Sequence, residues 1–477
     1  MTLNDSKVNR RTVMRTALAA GLALPVGGAL ASCAGGGSSG SKSSGGGSAA
    51  PSGSTSADNP FGFTDKSTVD AVIFNGGYGT DYVSFAGQVV MKKYPGSKVK
   101  VSPSTQISQQ LQPRFVSGNP PDLVDDSGAQ AIGVNTIAAQ LEDLTPVLEA
   151  NNYEGTKISD NLYPGVKEAG LVGDKMVVLN YVMTVYGLWY SESLFAANGW
   201  TPPKTWDDLL DLGAKAKAKG KYLFVWGQQA ASYYQQLLMD SAIKQGGDEV
   251  RLGLENLEPK CWSNPTIQAV LAKLEEIVKK GYFKPGGAGT QFTQAQAQWS
   301  NDESGIMYAS GSWIENEMKS QTKAGFKMTG IPEPVLDTST SKMPYDALNA
   351  APGEQYIVPS KGKDPNGGKE LLRAMLSKEA ATNFAKTKLA PTIVKGTVPT
   401  DGFGSTALQS QIKMLDAAGS HLFNVRFVSL YGTVQDQLVP WNSFLSGQLD
   451  AAGLTKALQQ ISDKVRNDPS VKKVKIS

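Results

Sequence analysis

Lys175-Met176-Val177-Val178-Leu179-Asn180-Tyr181-Val182-Met183-Thr184-Val185-Tyr186-Gly187-Leu188-Trp189-Tyr190 is sixteen residues of mostly strand-forming types with one internal Gly. Natural strands run ~3–10 residues. The run therefore predicts two strands in different sheets, joined by a short hinge. A chain of 477 residues also exceeds what one core can hold, since single cores stop growing near ~250–300 residues.

The stretch before it sets the fold class. Val69-Asp70-Ala71-Val72-Ile73-Phe74 reads as a buried strand that breaks at Asn75-Gly76-Gly77-Tyr78-Gly79. A helix of about four turns follows, through Val89-Val90-Met91, then a strand at Lys98-Val99-Lys100-Val101. Ile107 to Phe115 is helical, and Gly118-Asn119-Pro120-Pro121 turns into a third strand at Asp122-Leu123-Val124-Asp125. This β-α-β-α-β order implies parallel strands with right-handed crossovers, and an α/β class. Ligands on such sheets sit at the carboxyl ends of the strands, here the loops at 75–81 and 125–129.

Past the long run, Thr205 is placed to cap a helix whose first turn carries Asp207 and Asp208, acids that suit the positive end of the helix dipole. Trp189-Tyr190-Ser191, Leu194-Phe195, Gly199-Trp200 and Pro203-Lys204-Thr205-Trp206-Asp207-Asp208-Leu209 together resemble the hinge and following helix of extracellular solute-binding proteins of sugar ABC importers. Three further stretches are similar to the same family: Gly305-Ile306-Met307-Tyr308-Ala309-Ser310-Gly311-Ser312-Trp313, Ala351-Pro352-Gly353-Glu354-Gln355-Tyr356-Ile357-Val358-Pro359, and the tail from Trp441 to Val465. The likeness covers about residues 66–465. Asp58-Asn59-Pro60-Phe61-Gly62, with the long body, resembles the N-acetylglucosamine/diacetylchitobiose-binding lipoproteins of high-GC Gram-positive bacteria.

The resemblance implies a periplasmic-binding-protein-like fold of type II, two α/β lobes joined by a multi-strand hinge. Residues 66–180 with 353–400 would form the first lobe, and 181–352 with 401–477 the second. It implies a non-catalytic receptor that takes an amino sugar or short chitin fragment between its lobes. The partners would be permease subunits and a separate ATPase, with no cofactor and no metal. A monomer is expected.

Sugar recognition needs aromatic rings against the apolar ring face and hydrogen-bonding groups around the rim. By the family's pattern Trp313 stacks on the sugar and Trp226 opens on the cleft. Tyr78 lies in the Gly-rich loop after the first strand. Core packing is the alternative for each of these aromatics. Asp81 and Asp126 are the polar candidates of the first lobe, with helix capping the alternative for Asp126. Gln228, Asn349, Glu354 and Arg426 complete the set.

Composition narrows the chemistry. One His and two Cys exclude a Cys/His zinc site and a disulfide framework, and leave His421 alone as a catalytic imidazole. A glycoside hydrolase would need two carboxyls aimed at one bond. Asp125-Asp126, Asp302-Glu303 and Glu315 with Glu317 are near in sequence, but neighbours on a strand such as Asp125 and Asp126 point to opposite faces.

The front of the chain reads as an address. Arg10-Arg11 precedes the apolar run from Ala17 to Val26, which has the length of a signal-peptide core, so residues 1–32 are a signal peptide. Leu30-Ala31-Ser32-Cys33 resembles a lipobox, with Cys33 lipidated. Asn9-Arg10-Arg11-Thr12-Val13-Met14 also resembles a twin-arginine signal, so Sec and Tat export both stay open. Residues 34–57 contain only Gly, Ser, Ala, Thr, Pro and Lys42, and 33–65 is expected to be the lipidated Cys and a flexible linker. The net charge of +3 belongs to the signal peptide, so nothing remains to attract nucleic acid, and membrane contact is expected only through the anchor, on the extracytoplasmic face. Cys33→Ala should release the protein from the membrane fraction while leaving its fold and sugar affinity unchanged. Fractionation checks this, and undiminished membrane retention would count against lipidation at Cys33.

Overall fold

The computed structural model describes residues 53–128, 131–431, 433–469, 471 and 473–476. The expected signal peptide, Cys33 and the expected linker as far as residue 52 lie outside the described residues. Among the described residues eleven strands run in chain order: β1 Thr68–Phe74, β2 Lys98–Ser104, β3 Leu123–Asp125, β4 Leu171–Val172, β5 Lys175–Met176, β6 Leu179–Ser191, β7 Tyr222–Phe224, β8 Gly305–Gly311, β9 Met328–Ile331, β10 Leu348–Ile357 and β11 Leu422–Phe423. Nine share one sheet, in the order β2-β1-β3-β10-β6-β8-β7, with β11 beside β10 and β9 beside β6; β4 and β5 form a small hairpin.

The first three strands pair in parallel, as their β-α-β-α-β order requires. Their crossovers are the helices Asp81–Lys93 and Ile107–Val116. Both faces of this part are covered. Ala71 and Ile73 of β1 belong to one apolar cluster, and Val72 between them belongs to another with Ile107, Leu111 and Val124. That accounts for the continuous apolar reading of β1. Thr205 caps its helix as the sequence predicts: its hydroxyl accepts from Asp208 N–H at 3.1 Å, and the Asp208 carboxylate accepts from Thr205 N–H at 2.9 Å.

The two-strand reading of 175–190 needs correction. Lys175 and Met176 are an arm of the small hairpin, and Leu179–Ser191 is one uninterrupted strand of 13 residues. Its length is possible because its halves serve different partners. Leu179 to Val185 pair antiparallel with β10, and Tyr186 onward pair antiparallel with β8 and β9. The internal Gly187 is a close approach rather than a break, since a Cβ there would sit 2.5 Å from the Ile331 carbonyl oxygen.

The apolar clusters follow the same division. Leu179, Tyr181, Val182 and Val185 join the first lobe's core, whereas Leu188 and Tyr190 join the second lobe's main cluster and Trp189 its other face. Along β6 the side chains pass from one core to the other just past Val185, and along β10 just before Leu348. The two changes fall close together because β6 and β10 are antiparallel partners, with Val185 opposite Ala350. The helix Thr406–Ala418 spans the division, giving Ala407 to the second lobe and Met414, Leu415 and Ala418 to the first.

The linker expected through residue 65 ends earlier. Phe61 and Phe63 are buried in the first lobe's core, and the Phe63 ring meets Tyr94 edge-on at 5.1 Å. Asn59 braces the turn, accepting from Phe63 N–H at 2.9 Å and donating to the Phe63 carbonyl at 3.0 Å. Burying two aromatic side chains offsets the entropy of ordering this short segment. Phe63→Ala should lower stability by ~3–5 kcal/mol. Urea unfolding checks this, and a loss below ~1 kcal/mol would mean that the segment docks without contributing to the core.

Candidate functional site

The loop after β1 needs Gly76, where a Cβ would lie 2.2 Å from the Phe74 ring. That turn delivers Tyr78 between the lobes. Its ring tilts on Phe384 at 5.2 Å, and its buried hydroxyl makes no hydrogen bond of full geometry, with the Ser312 hydroxyl near enough to interact. Burial and the nearby Glu354 carboxyl raise its pKa. Across from it, Gly311 lets the half-buried Trp313 ring fold back over the end of β8: a Cβ at 311 would sit 2.0 Å from that ring. This is the physical sense of the Gly-x-Trp spacing. Trp313 meets Tyr186 edge-on at 5.7 Å and Tyr233 at 6.0 Å, so three aromatics form one wall. Ser312 between them accepts from Val185 N–H at 3.2 Å, tying the wall to the point where β6 changes partners.

Glu354 interrupts β10. Its φ of 57° is left-handed, and the ladder to β6 skips it between Gly353 and Gln355. A non-glycine residue held there costs of order 1–3 kcal/mol, and such residues cluster at ligand sites. Its carboxyl shares a buried space with Asp125. Ser127 donates to Asp125 at 2.5 Å and accepts from Gln355 N–H at 2.8 Å, and the Glu354 carboxyl is near enough to hydrogen-bond Asp125 once one of the two is protonated. Burial, then the proximity of Glu354, holds Asp125 well above the usual carboxylate range, and burial raises Glu354 too. Two carboxyls so placed do not both ionise readily.

Asp126 is fully buried. One oxygen accepts from Ile132 N–H at 2.7 Å and closes the loop, and the other has no partner. The capping alternative does not hold: the helix Val134–Ile137 has Gly133 at its N-cap and no side-chain cap, and Asp126 holds the N–H of Ile132 ahead of it.

The helix Ile314–Met318 after the wall carries further polar groups. Glu317 accepts from Gln296 Nε2 at 2.8 Å, and Glu315 accepts from Ser405 at 2.5 Å. Sequence reasoning missed Tyr186, Tyr233 and Glu317 as site residues. For Glu317 a signal existed, since it lies four residues after Trp313 and shares its helical face.

The other expected residues stand elsewhere. Asp81 is exposed and pairs with Lys388 on the first lobe. Trp226 is buried in the second lobe's core under Gly287, where a Cβ would lie 2.2 Å from its ring. Gln228 is exposed, its carbonyl accepting from Asn442 at 3.0 Å. Asn349 is buried and donates to both Asp240 oxygens, at 3.0 and 3.2 Å. Arg426 is half-buried, its backbone N–H bound by Glu255 at 2.7 Å. A surface cavity of about 250 Å³ near Thr145, Lys157 and Tyr163 touches none of these residues. The unpaired buried polar groups facing aromatic rings, not that cavity, mark the site. Among the described residues no cluster of three or more His, Cys, Asp or Glu is arranged to hold a metal ion, and no helix is long and apolar enough to cross a membrane.

Residues 67–382 match the family model described as bacterial extracellular solute-binding protein. The chain is 60% identical over its whole length to the diacetylchitobiose binding protein NgcE of Streptomyces coelicolor, and spans 100% of that protein. Among solved structures, the apo-form of RafE from Streptococcus pneumoniae aligns over 83% of this chain and 97% of its own with a TM-score of 0.67 at 19% identity. A chitin oligosaccharide binding protein aligns over 82% and 98% with a TM-score of 0.62 at 18% identity.

Burial pushes the Asp126 pKa up to about 6, although the Ile132 N–H bond draws it down. Between about pH 4 and that value the folded chain keeps a proton that the unfolded chain has released, so stability falls as pH rises through the window. Two pKa units correspond to about 3 kcal/mol. Asp126→Asn cannot ionise. Relative to wild type without ligand, it should therefore gain ~2–3 kcal/mol between pH 4 and pH 7 in urea unfolding. A difference that does not change with pH would place the cost of ionisation elsewhere.

Proposed function

Because the chain belongs to the bacterial extracellular solute-binding protein family, we propose that it captures N-acetylglucosamine or chitin-derived oligosaccharides, diacetylchitobiose above all, between its two lobes. It then presents the sugar to the permease subunits of an ABC importer driven by a separate ATPase. It works as a receptor on the outer face of the cell membrane, held there by a lipid on Cys33, and performs no chemistry on its ligand.

The observation that carries this reading is the wall of Trp313, Tyr186 and Tyr233 close to the buried Tyr78 hydroxyl and the Asp125–Glu354 carboxyls. Rings supply an apolar surface for a sugar face, and carboxyls accept from its hydroxyls. The identity with the diacetylchitobiose binding protein supports the choice of sugar. Binding between lobes favours closure about the β6–β10 hinge, because a ligand that touches both lobes stabilises the closed form.

Calorimetric titration with diacetylchitobiose tests the function. Saturable binding without release of monosaccharide is expected, and hydrolysis would replace the receptor with an enzyme. Trp313→Ala should weaken binding by ~2–4 kcal/mol, roughly thirty- to a thousand-fold. A variant that melts several degrees lower but binds normally would make Trp313 a core residue only.

A further inference from the structure

Asn316 Nδ2 donates to the Gly77 carbonyl at 2.5 Å, and Lys319 Nζ donates to Asn316 Oδ1 at 3.0 Å. The lysine fixes which way the amide points. The helix after Trp313, in the second lobe, is thereby stapled to the loop after β1, in the first. The next residue on each side is a polar group of the site: Tyr78 after Gly77, and Glu317 after Asn316.

The two groups are complementary. Tyr78 is 6% exposed, and its hydroxyl makes no hydrogen bond of full geometry, although the Ser312 hydroxyl is near enough to interact with it. Glu317 has one oxygen held by Gln296, which is itself fully buried and leaves its own amide oxygen unpaired. The second Glu317 oxygen makes no hydrogen bond within the described chain, so an acceptor stands ready on one lobe and a phenolic donor on the other. The Glu317 carboxylate is near enough to add to the upward shift of the Tyr78 hydroxyl, behind burial and Glu354.

A secondary amide presents its N–H and its C=O in opposite directions, because the peptide-type bond is planar and trans. A hydroxyl offers donor and acceptor at a single atom. Partners on facing lobes suit the amide. We propose that Glu317 and Tyr78 read the 2-acetamido group of the bound sugar, Glu317 accepting from its N–H and Tyr78 donating to its carbonyl, with Gln296 positioning the carboxylate. This assignment rests on the amino-sugar reading above. A sugar with a hydroxyl at that carbon would leave either the buried Tyr78 hydroxyl or the half-buried Glu317 carboxylate unsatisfied, which is how a polar site discriminates most strongly.

Diacetylchitobiose and cellobiose differ at this position, with acetamido groups on one and hydroxyls on the other. Their affinities can be measured by calorimetric titration, taken to millimolar sugar, for wild type, Glu317→Gln and Tyr78→Phe. Each variant should lose about ten- to a hundredfold for diacetylchitobiose and no more than about threefold for cellobiose, so preference collapses. Both changes keep side-chain shape, and Tyr78→Phe keeps the ring on Phe384. Ligand-free melting checks each fold, and either variant alone decides. Preference within about twofold of wild type, or equal losses for both sugars, would overturn the assignment. A wild-type protein that binds neither sugar would remove the amino-sugar reading itself, and this assignment with it.

Discussion

One strand carries the packing of two cores, and the rest of the molecule is arranged around that constraint. β6 gives its first half to β10 and its second to β8 and β9, so the ladder passes from lobe to lobe without a loop. A loop at this depth would strand backbone polar groups away from water. A continuous strand keeps them paired and still allows twist at one point, between Val185 and Tyr186. Ser312 marks that point by accepting from Val185 N–H, and the helix Thr406–Ala418 covers it. Met414 on that helix lies against Gly187 and Gly330, where an unbranched thioether fits the narrow space beside two glycines.

The site grows out of the same place. Tyr186 is the first residue beyond the switch, and Trp313 follows the strand that takes over as partner. Glu354 is on the other hinge strand, in a backbone conformation that other residues of the ladder avoid. Strain and unpaired polar groups both cost stability in the empty protein. A ligand that pairs those groups offsets part of that cost, so binding and closure draw on one store of free energy.

Much of this was legible in the chain, and the remainder fails for identifiable reasons. Local order was readable: the β-α-β-α-β run, the Thr205 cap and the loop at Tyr78 all depend on neighbours in sequence. Gly311 and Trp313 were readable as a pair because the steric reason for the Gly lies two residues away. Trp226 was not, because the residue that covers it, Gly287, is distant in sequence and carries no mark of its role. The loop position of Asp81 points to the ligand, but its partner Lys388 comes 307 residues later in the chain. The long run at 175–190 was read as two strands because strand length was judged against one sheet, and nothing local says that a strand will serve two.

The shared strand also sets the order in which the molecule can be made. The first lobe's sheet is complete only when β10 enters between β3 and β6, and Leu348 comes 280 residues after Thr68. Neither lobe is a contiguous stretch, so neither can finish folding while the chain is still emerging from the ribosome. Contacts of such long sequence separation close slowly. Most of the polypeptide must therefore exist before either lobe is complete, and a chain in that condition is open to capture by chaperones.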